Sequence, residues 1–564
     1  MDSSGDQEEK LKMSDAKNGH VDSPSTPLSL PKQTLSVLEV TERFKSRTAS
    51  LSLLARIVRQ SRPDTLLAGS RSGTASNYAL TPTATTSPKN ATSKLIFATF
   101  AAVVGSAFQH GYNTGVVNAP QALIVQWLKE MQRNNSLNSG GNGEISQPTI
   151  VFIYATIVSI FCFGGMIGGL CAGFVSESMG RKWGIVSNNV LVFVSALLMG
   201  LAKHNSSYGM LIFGRLLIGM NAGLNAGLVP MYLSEIAPLH LRGMLGSSYQ
   251  LIITISILLS QILGMKSLLG TAEDWPTLFS LIVVPAILQL ITMPFCAESP
   301  KYLWSIGREQ SALEALRWLR GTTDVQSELR LIKSEYDSQK SAPRVTLGQM
   351  LTNPMLRIPL TISVVIMLAQ QLSGINAVIY FSTEIIQKTQ LDDSVAQIGT
   401  IVMGSMNVAM TVISSLLVEA AGRKTLLLIG FGGMLIDTIL LTIALALSAT
   451  GSVFISYMCV FFVIGFVVIF AIGPGSIPWF LVSELFMQNA RPLATSVAVG
   501  VNWGANFFVG LGFPLLESAL GPYVFVIFAI LQSGFILFIV KKVPETKNKT
   551  TEEISAIFRQ MSYE

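Results

Sequence analysis

The sequence predicts an all-α membrane protein: twelve transmembrane helices in two pseudo-symmetric six-helix halves, joined by a cytosolic helical linker. Three observations carry that prediction. Half of the 564 residues are hydrophobic and only 13% are charged, against about 25% in soluble globular chains. Twelve apolar runs reach the length a spanning helix needs, about 20 residues each. Short polar signatures in the first half of the chain recur in the same order in the second.

The recurrence sets the domain plan. Glu177-Ser-Met-Gly180-Arg181-Lys182 is answered by Glu419-Ala-Ala-Gly422-Arg423-Lys424, and Ser234-Glu235 with Arg242 by Ser483-Glu484 with Arg491. Glu298-Ser299-Pro300 has a weaker echo in Pro544-Glu545-Thr546. The echoes divide the chain into a six-helix half over 95–296 and another over 358–541, with a solute path between them. Arg181, Lys182, Arg242, Arg423, Lys424, Arg491, Lys541 and Lys542 lie at alternate ends of the apolar runs. That asymmetry places both termini in the cytosol. It also accounts for the net charge of +6 through the bilayer, with no nucleic-acid partner. Acids contribute little to orientation, so the glutamates need another role. Arg181, Glu235, Arg242, Glu419, Arg423, Glu484 and Arg491 are expected to pair across the halves and hold an inner gate shut.

In chain order, residues 1–94 are rich in Ser, Thr, Pro and charge and read as a disordered cytosolic tail. Within it Leu35 to Gln60 mixes apolar residues with five cations, a pattern shared by lipid-surface helices and plain solvated tails. The first run, from Leu95, holds Gln109 and Asn113 on one face at i,i+4. A Gly-, Ser- and Asn-rich loop follows, with the sequon Asn134-Asn135-Ser136 on the outer side and a second at Asn205. The runs at 150–174, 184–203, 208–232, 245–264 and 276–296 complete the first half. Gly214, Gly219, Gly223 and Gly227 in the fourth run permit close backbone contact between helices. In the fifth, Gln250, Thr254 and Gln261 share a face and are expected to line a cavity. Residues 297–357 turn polar with amphipathic spacing, the mark of a helical linker. Six runs follow, at 358–382, 396–417, 424–447, 454–480, 493–515 and 522–541, before a cytosolic tail at 542–564. Cys162, Cys171, Cys296 and Cys459 lie in or beside apolar runs and read as packing rather than disulfides. No metal-ligand spacing, nucleotide-binding loop or nucleophile–base pair is present, so neither a metal, a cofactor nor an enzyme is expected.

The chemistry concentrates in Gln370-Gln371-Leu372-Ser373-Gly374-Ile375-Asn376, inside the seventh run. Amides at membrane depth are costly unless they face protein or a water-filled cavity. They offer donors and acceptors together, which suits a neutral polyhydroxylated solute better than an ion. On an ideal helix Gln371 and Asn376 point about 140° apart; a break at Gly374 is expected to bring them together. Asn502 and Asn506 share a face at i,i+4 around Trp503, whose ring suits the C–H surface of a sugar. Gly473-Pro474-Gly475 and Pro478 interrupt the tenth run, where a gate can flex.

Gly180-Arg-Lys182, Gly214-Arg215, Pro230-Met-Tyr-Leu-Ser-Glu235, Glu298-Ser-Pro300, Gln370-Gln-Leu-Ser-Gly-Ile-Asn376, Gly473-Pro-Gly475 with Pro478-Trp479, and Val543-Pro-Glu-Thr546 together resemble the sugar porters of the major facilitator superfamily. The resemblance runs from about Leu95 to Gln560 and looks closest to the animal facilitative glucose transporters of class I. It implies the major facilitator fold and passive hexose uniport, with D-glucose the expected sugar. It implies sugar contacts from Gln250, Gln370, Gln371, Asn376, Asn407, Trp479, Asn502, Trp503 and Asn506. A multi-pass place in the plasma membrane is the matching expectation. Proton-coupled sugar porters carry an aspartate where this chain has Asn113, and an amide does not titrate; proton symport is the alternative, and a non-transporting sugar receptor another.

Two departures stand out. The class I pattern has an acid where this chain has Ala471, so one sugar hydrogen bond is expected to be missing. Glucose-selective relatives carry Gln-Leu-Ser where this chain has Met367-Leu368-Ala369, which predicts a broader sugar preference.

Overall fold

A computed structural model describes residues 91–138, 146–341, 345–389, 391–487, 489–549 and 551–561. The expectations for the tail before residue 91, and for the side chain of Glu419, lie outside the described residues. The first half consists of α1 (Ser93–Gly115), α2 (Gln121–Asn138), α3 (Gln147–Met179), α4 (Arg181–Leu201), α5 (Tyr208–Ile236), α6 (Arg242–Leu263), α7 (Trp275–Ser280) and α8 (Val283–Thr292). Four short helices follow: α9 (Pro300–Ser305), α10 (Glu309–Arg320), α11 (Gln326–Ser341) and α12 (Leu347–Thr352). The second half consists of α13 (Pro354–Leu372), α14 (Ile375–Gln387), α15 (Asp393–Ala421), α16 (Arg423–Ser448), α17 (Val453–Ile472), α18 (Ile477–Leu485), α19 (Arg491–Leu520) and α20 (Val524–Lys542), with α21 (Thr551–Met561) after it.

Eleven stretches are long and apolar enough to span a bilayer. The last, Arg491–Lys542, has 52 residues, far more than the roughly 20 that one crossing takes. It turns back at Gly521–Tyr523, where Gly521 has φ 57. That stretch is therefore two crossings, which restores the twelve expected. Large apolar side chains point outward along these helices, among them Phe174, Leu416 and Phe454, as hydrocarbon surroundings require.

Small residues and amides build the first half. A Cβ on Gly219 would lie 2.0 Å from the Phe161 carbonyl oxygen, and one on Gly223 2.1 Å from that of Gly165. The glycine stripe of α5 thus lets α3 approach backbone to backbone, as its spacing predicts. Gln109 Nε2 donates to Asn189 Oδ1 (2.9 Å), Asn189 Nδ2 to Gln289 Oε1 (2.9 Å) and Gln289 Nε2 to Ser106 Oγ (2.8 Å). Asn188 and Asn225 extend this buried chain into α5. At a depth where water is scarce, the amides bond to one another and tie α1, α4, α5 and α8 together. Asn113 turns its own amide back to the Gln109 carbonyl (2.8 Å).

The sequon at Asn134 departs from expectation. It sits in the last turns of helix α2, exposed, rather than in a loop. Leu123, Ile124, Trp127, Leu128 and Met131 give that segment an apolar face that packs on the core, and no glycine interrupts it before the run that follows Asn138.

At the other end of the helices the internal repeat becomes a duplicated module. Gly180 (φ 85) and Gly422 (φ 92) open α4 and α16 in the left-handed region, which favours glycine. Glu298 accepts from the backbone N–H groups of Arg181 (3.2 Å) and Lys182 (3.0 Å). Glu545 accepts from those of Arg423 (2.9 Å) and Lys424 (3.1 Å). Carboxylates are well placed there, because a helix start carries partial positive charge. The weakest echo in sequence is thus a close one in geometry. The two acids differ in electrostatics. Burial wins at Glu298 and raises its carboxyl above the ordinary range despite the backbone donors. At Glu545 burial is outweighed by the N–H groups of Lys547, Arg423, Lys424 and Thr425, which hold it below that range. A depressed pKa contributes stability above the ordinary value, lost as pH falls through the depressed one. Glu545→Gln is expected to lower the thermal midpoint in detergent at pH 7, and the gap to the unaltered chain to close below about pH 4, the usual carboxylate range.

Candidate functional site

Between the halves lies a cavity of about 150 Å³. All nine residues singled out from the sequence line it: Gln250, Gln370, Gln371, Asn376, Asn407, Trp479, Asn502, Trp503 and Asn506. The break that brings the seventh-run amides together is where the sequence placed it. α13 ends at Leu372, Gly374 adopts φ 96, and α14 begins at Ile375. Asn376 Nδ2 then donates to Gln371 Oε1, although the two would face apart on a straight helix.

The lining amides fall into two groups. Gln370, Gln371, Asn376 and Asn502 bond to protein. Gln370 Nε2 donates to the carbonyls of Pro474 and Gly475 (both 2.8 Å), so it fastens α13 to the break between α17 and α18. Its Oε1 accepts from Asn502 Nδ2 (2.8 Å), and Asn502 Oδ1 accepts from Gln371 Nε2 (2.9 Å). The second group keeps capacity for a ligand. The side-chain amides of Gln250 and Asn407 have no hydrogen bond among the described residues, and Asn506 uses only its oxygen, which accepts from Tyr380 (3.2 Å). Trp503 Nε1 is buried without a partner. No carboxylate is among the lining residues.

Two expectations need correction. Gln261 does not line the cavity: it is buried against Gly404 of α15, with both amide atoms unpaired. Three turns beyond Gln250, the α6 face has left the cavity for the contact with α15. The charges of the repeated signatures pair within halves in this conformer, not across them. Arg181 binds Glu235 (2.8 Å) and Arg423 binds Glu484 (3.0 Å). Each arginine opens a helix whose neighbour in the same half ends with the acid, so the partner is already at hand. Arg242 and Arg491 form no ion pair among the described residues; Arg491 donates to the Phe486 carbonyl (3.2 Å).

The halves meet at the opposite end. Asn118 Nδ2 donates to the Ile379 carbonyl (2.9 Å) and to Ser382 Oγ (2.6 Å), while Thr383 N donates to Asn118 Oδ1 (3.2 Å). One apolar cluster spans both halves there, with Tyr154 edge-on to Phe381 at 6.4 Å. At the charge-bearing end the apolar cores are separate: one around Leu95, Ile236 and Leu245, the other around Leu360, Leu426 and Leu485.

The two sequence departures act behind the cavity wall. Ala471 is buried and off the lining, and Met367 packs with Val482 and Ala498 under Asn502. His110 and Tyr380, by contrast, line the cavity and were not singled out. The i,i+4 pairing of Gln109 with Asn113 drew attention to the neighbouring face, and His110 lies one residue, about 100°, around from it.

A family model described as "Sugar (and other) transporter" matches residues 98–558. The chain is 47% identical over 475 residues to facilitated glucose transporter member 4 of solute carrier family 2 from Mus musculus, covering 83% of this chain and 91% of that one. It is 42% identical over 515 residues to facilitated glucose transporter protein 1 of Caenorhabditis elegans, covering 89% and 99%. Among solved structures, the inward open conformation of the xylose transporter XylE from E. coli matches with a TM-score of 0.68 at 26% identity, over 82% of this chain and 99% of that one. With its split helices, paired halves and amide-lined cavity, the chain belongs to the family of sugar transporters, a multi-pass membrane protein of the major facilitator fold.

Proposed function

We propose that this protein is a facilitative hexose uniporter, with D-glucose its first substrate, working by alternating access in the plasma membrane. The observation that carries the reading is the cavity itself: amides and tryptophans set among apolar side chains, free of carboxylates and shared by both halves. The facilitated glucose transporters to which it is similar support the same solute. Gln250, Asn407, Asn506 and Trp503 supply hydrogen bonds to the sugar, and Gln370, Gln371, Asn376 and Asn502 hold the wall in shape. A handful of net hydrogen bonds, about 1 kcal/mol each, gives weak binding once association costs are counted, as release on the far side requires. The conformer is inward-facing, with the Asn118 end closed outside and the charged end, with both termini, in the cytosol; the fused and split apolar cores support this. Asn134 is then extracellular and open to glycosylation.

Radiolabelled glucose uptake into liposomes holding the purified protein tests the reading. Saturable uptake, accelerated by unlabelled glucose inside and indifferent to a pH gradient, is the expected result. Accumulation above the outside concentration, driven by a pH gradient, overturns uniport in favour of proton symport. Binding without uptake overturns transport in favour of a sugar receptor.

A further inference from the structure

His110 is the one imidazole in the cavity wall, and the nine residues already assigned do not include it. Ionisable side chains at membrane depth are rare and usually have a function. Two contacts fix the ring. Its Nδ1 shares a hydrogen bond with the Tyr249 hydroxyl at 3.3 Å, and its face stacks on Trp503 at 5.4 Å, with 29° between the planes. Tyr249 belongs to the same half as His110, and Trp503 to the other, so the ring sits where both halves meet the solute. The second nitrogen, Nε2, has no hydrogen bond among the described residues. A ring held on two sides with one nitrogen unused is oriented for something that is not protein.

We propose that His110 is a sugar-contacting residue that sets which hydroxyl positions the carrier recognises, through Nε2. This rests on the hexose reading of the cavity. The tautomer follows Tyr249. When the phenol donates to Nδ1, Nε2 carries the proton and donates; when Nδ1–H donates to the phenol oxygen, Nε2 accepts. A sugar hydroxyl both donates and accepts, so either tautomer finds a partner. The need is concrete, because the side-chain oxygens of Gln370, Gln371 and Asn502 already accept from one another and from Asn376. His110 restores a directional contact on the α1 side of the cavity. Thr114, one turn along α1, is less suited, since its hydroxyl donates to the His110 carbonyl (3.0 Å).

The test compares the full chain with His110→Phe in liposomes, using glucose and a series of deoxyglucoses that each lack one hydroxyl. Phenylalanine keeps the ring area against Trp503 and removes the nitrogens. The unaltered chain is expected to lose about five- to tenfold in apparent affinity for one deoxy position. H110F is expected to show a similar rise in KM for glucose and no further loss for that one analogue, with the other positions ranked as before. An unchanged deoxy profile in H110F overturns the proposal and leaves His110 as packing. Where H110F does not transport, His110→Gln and equilibrium binding of the same series, read by tryptophan fluorescence, decide the matter: an altered profile supports the contact and an unaltered one overturns it. An unaltered chain that neither carries nor binds any hexose overturns the hexose reading first, and this inference with it.

Discussion

Gln370→Leu is expected to reduce hexose uptake by more than about tenfold at equal protein in liposomes. Leucine fits the space but leaves the carbonyls of Pro474 and Gly475 and the Asn502 amide without the partner they have now. Each buried polar group left unpaired costs about 1–3 kcal/mol, and about 1.4 kcal/mol is a factor of ten. The loss falls on one joint. α17 ends in the irregular Gly473-Pro474-Gly475 segment, and Gln370 is the side chain that closes its open carbonyls against α13. Uptake by Q370L at the unaltered rate and KM would show that the break holds itself, and that Gln370 is dispensable.

Gly223→Val is expected to prevent recovery of folded protein. Its Cβ would stand 2.1 Å from the Gly165 carbonyl oxygen and 2.7 Å from Gly169 N, both backbone atoms that no side-chain rotation can move. Overpacking a tight interface ordinarily costs about 1–3 kcal/mol; here two spanning helices must separate along their length. Gly432→Ala is the matched control, since nothing lies within 4 Å of a Cβ there. Size-exclusion profiles and thermal midpoints in detergent read both. A monodisperse G223V with the control's midpoint would contradict the close α3–α5 approach.

Much of this was legible in the sequence, because a bilayer punishes ambiguity. An apolar run of spanning length has few alternatives to a helix, and polar residues inside such runs must be explained one by one. Gln371 and Asn376 were placed in one cavity on that logic, and Gly374 supplies the left-handed turn that does it. Pairing between helices was less legible. Arg181 and Glu235 advertise a charged end, but only the packing of α4 beside α5 decides that they meet within one half. Gln261 shows the same limit: periodicity gives it the face of Gln250, and the approach of α15 at Gly404 covers it. His110 escaped for a different reason, since its spacing from Gln109 and Asn113 conceals that the cavity lies on its side of α1.

The short helices at the charge-bearing end bear on how fast such a carrier can turn over. Thr92 Oγ1 donates to the Leu319 carbonyl (2.6 Å) and Arg320 Nη1 to that of Ile236 (2.8 Å), so α10 is fastened to the first half. Ile554 and Phe558 of α21 are buried in the core of the second. Among the described residues, each buttress is seated on its own bundle. Swinging one bundle against the other then slides surfaces past each other without undocking a helix or baring its apolar face. A step of that kind is expected on the microsecond-to-millisecond scale of rigid domain motions, with no helix to unfold on the way.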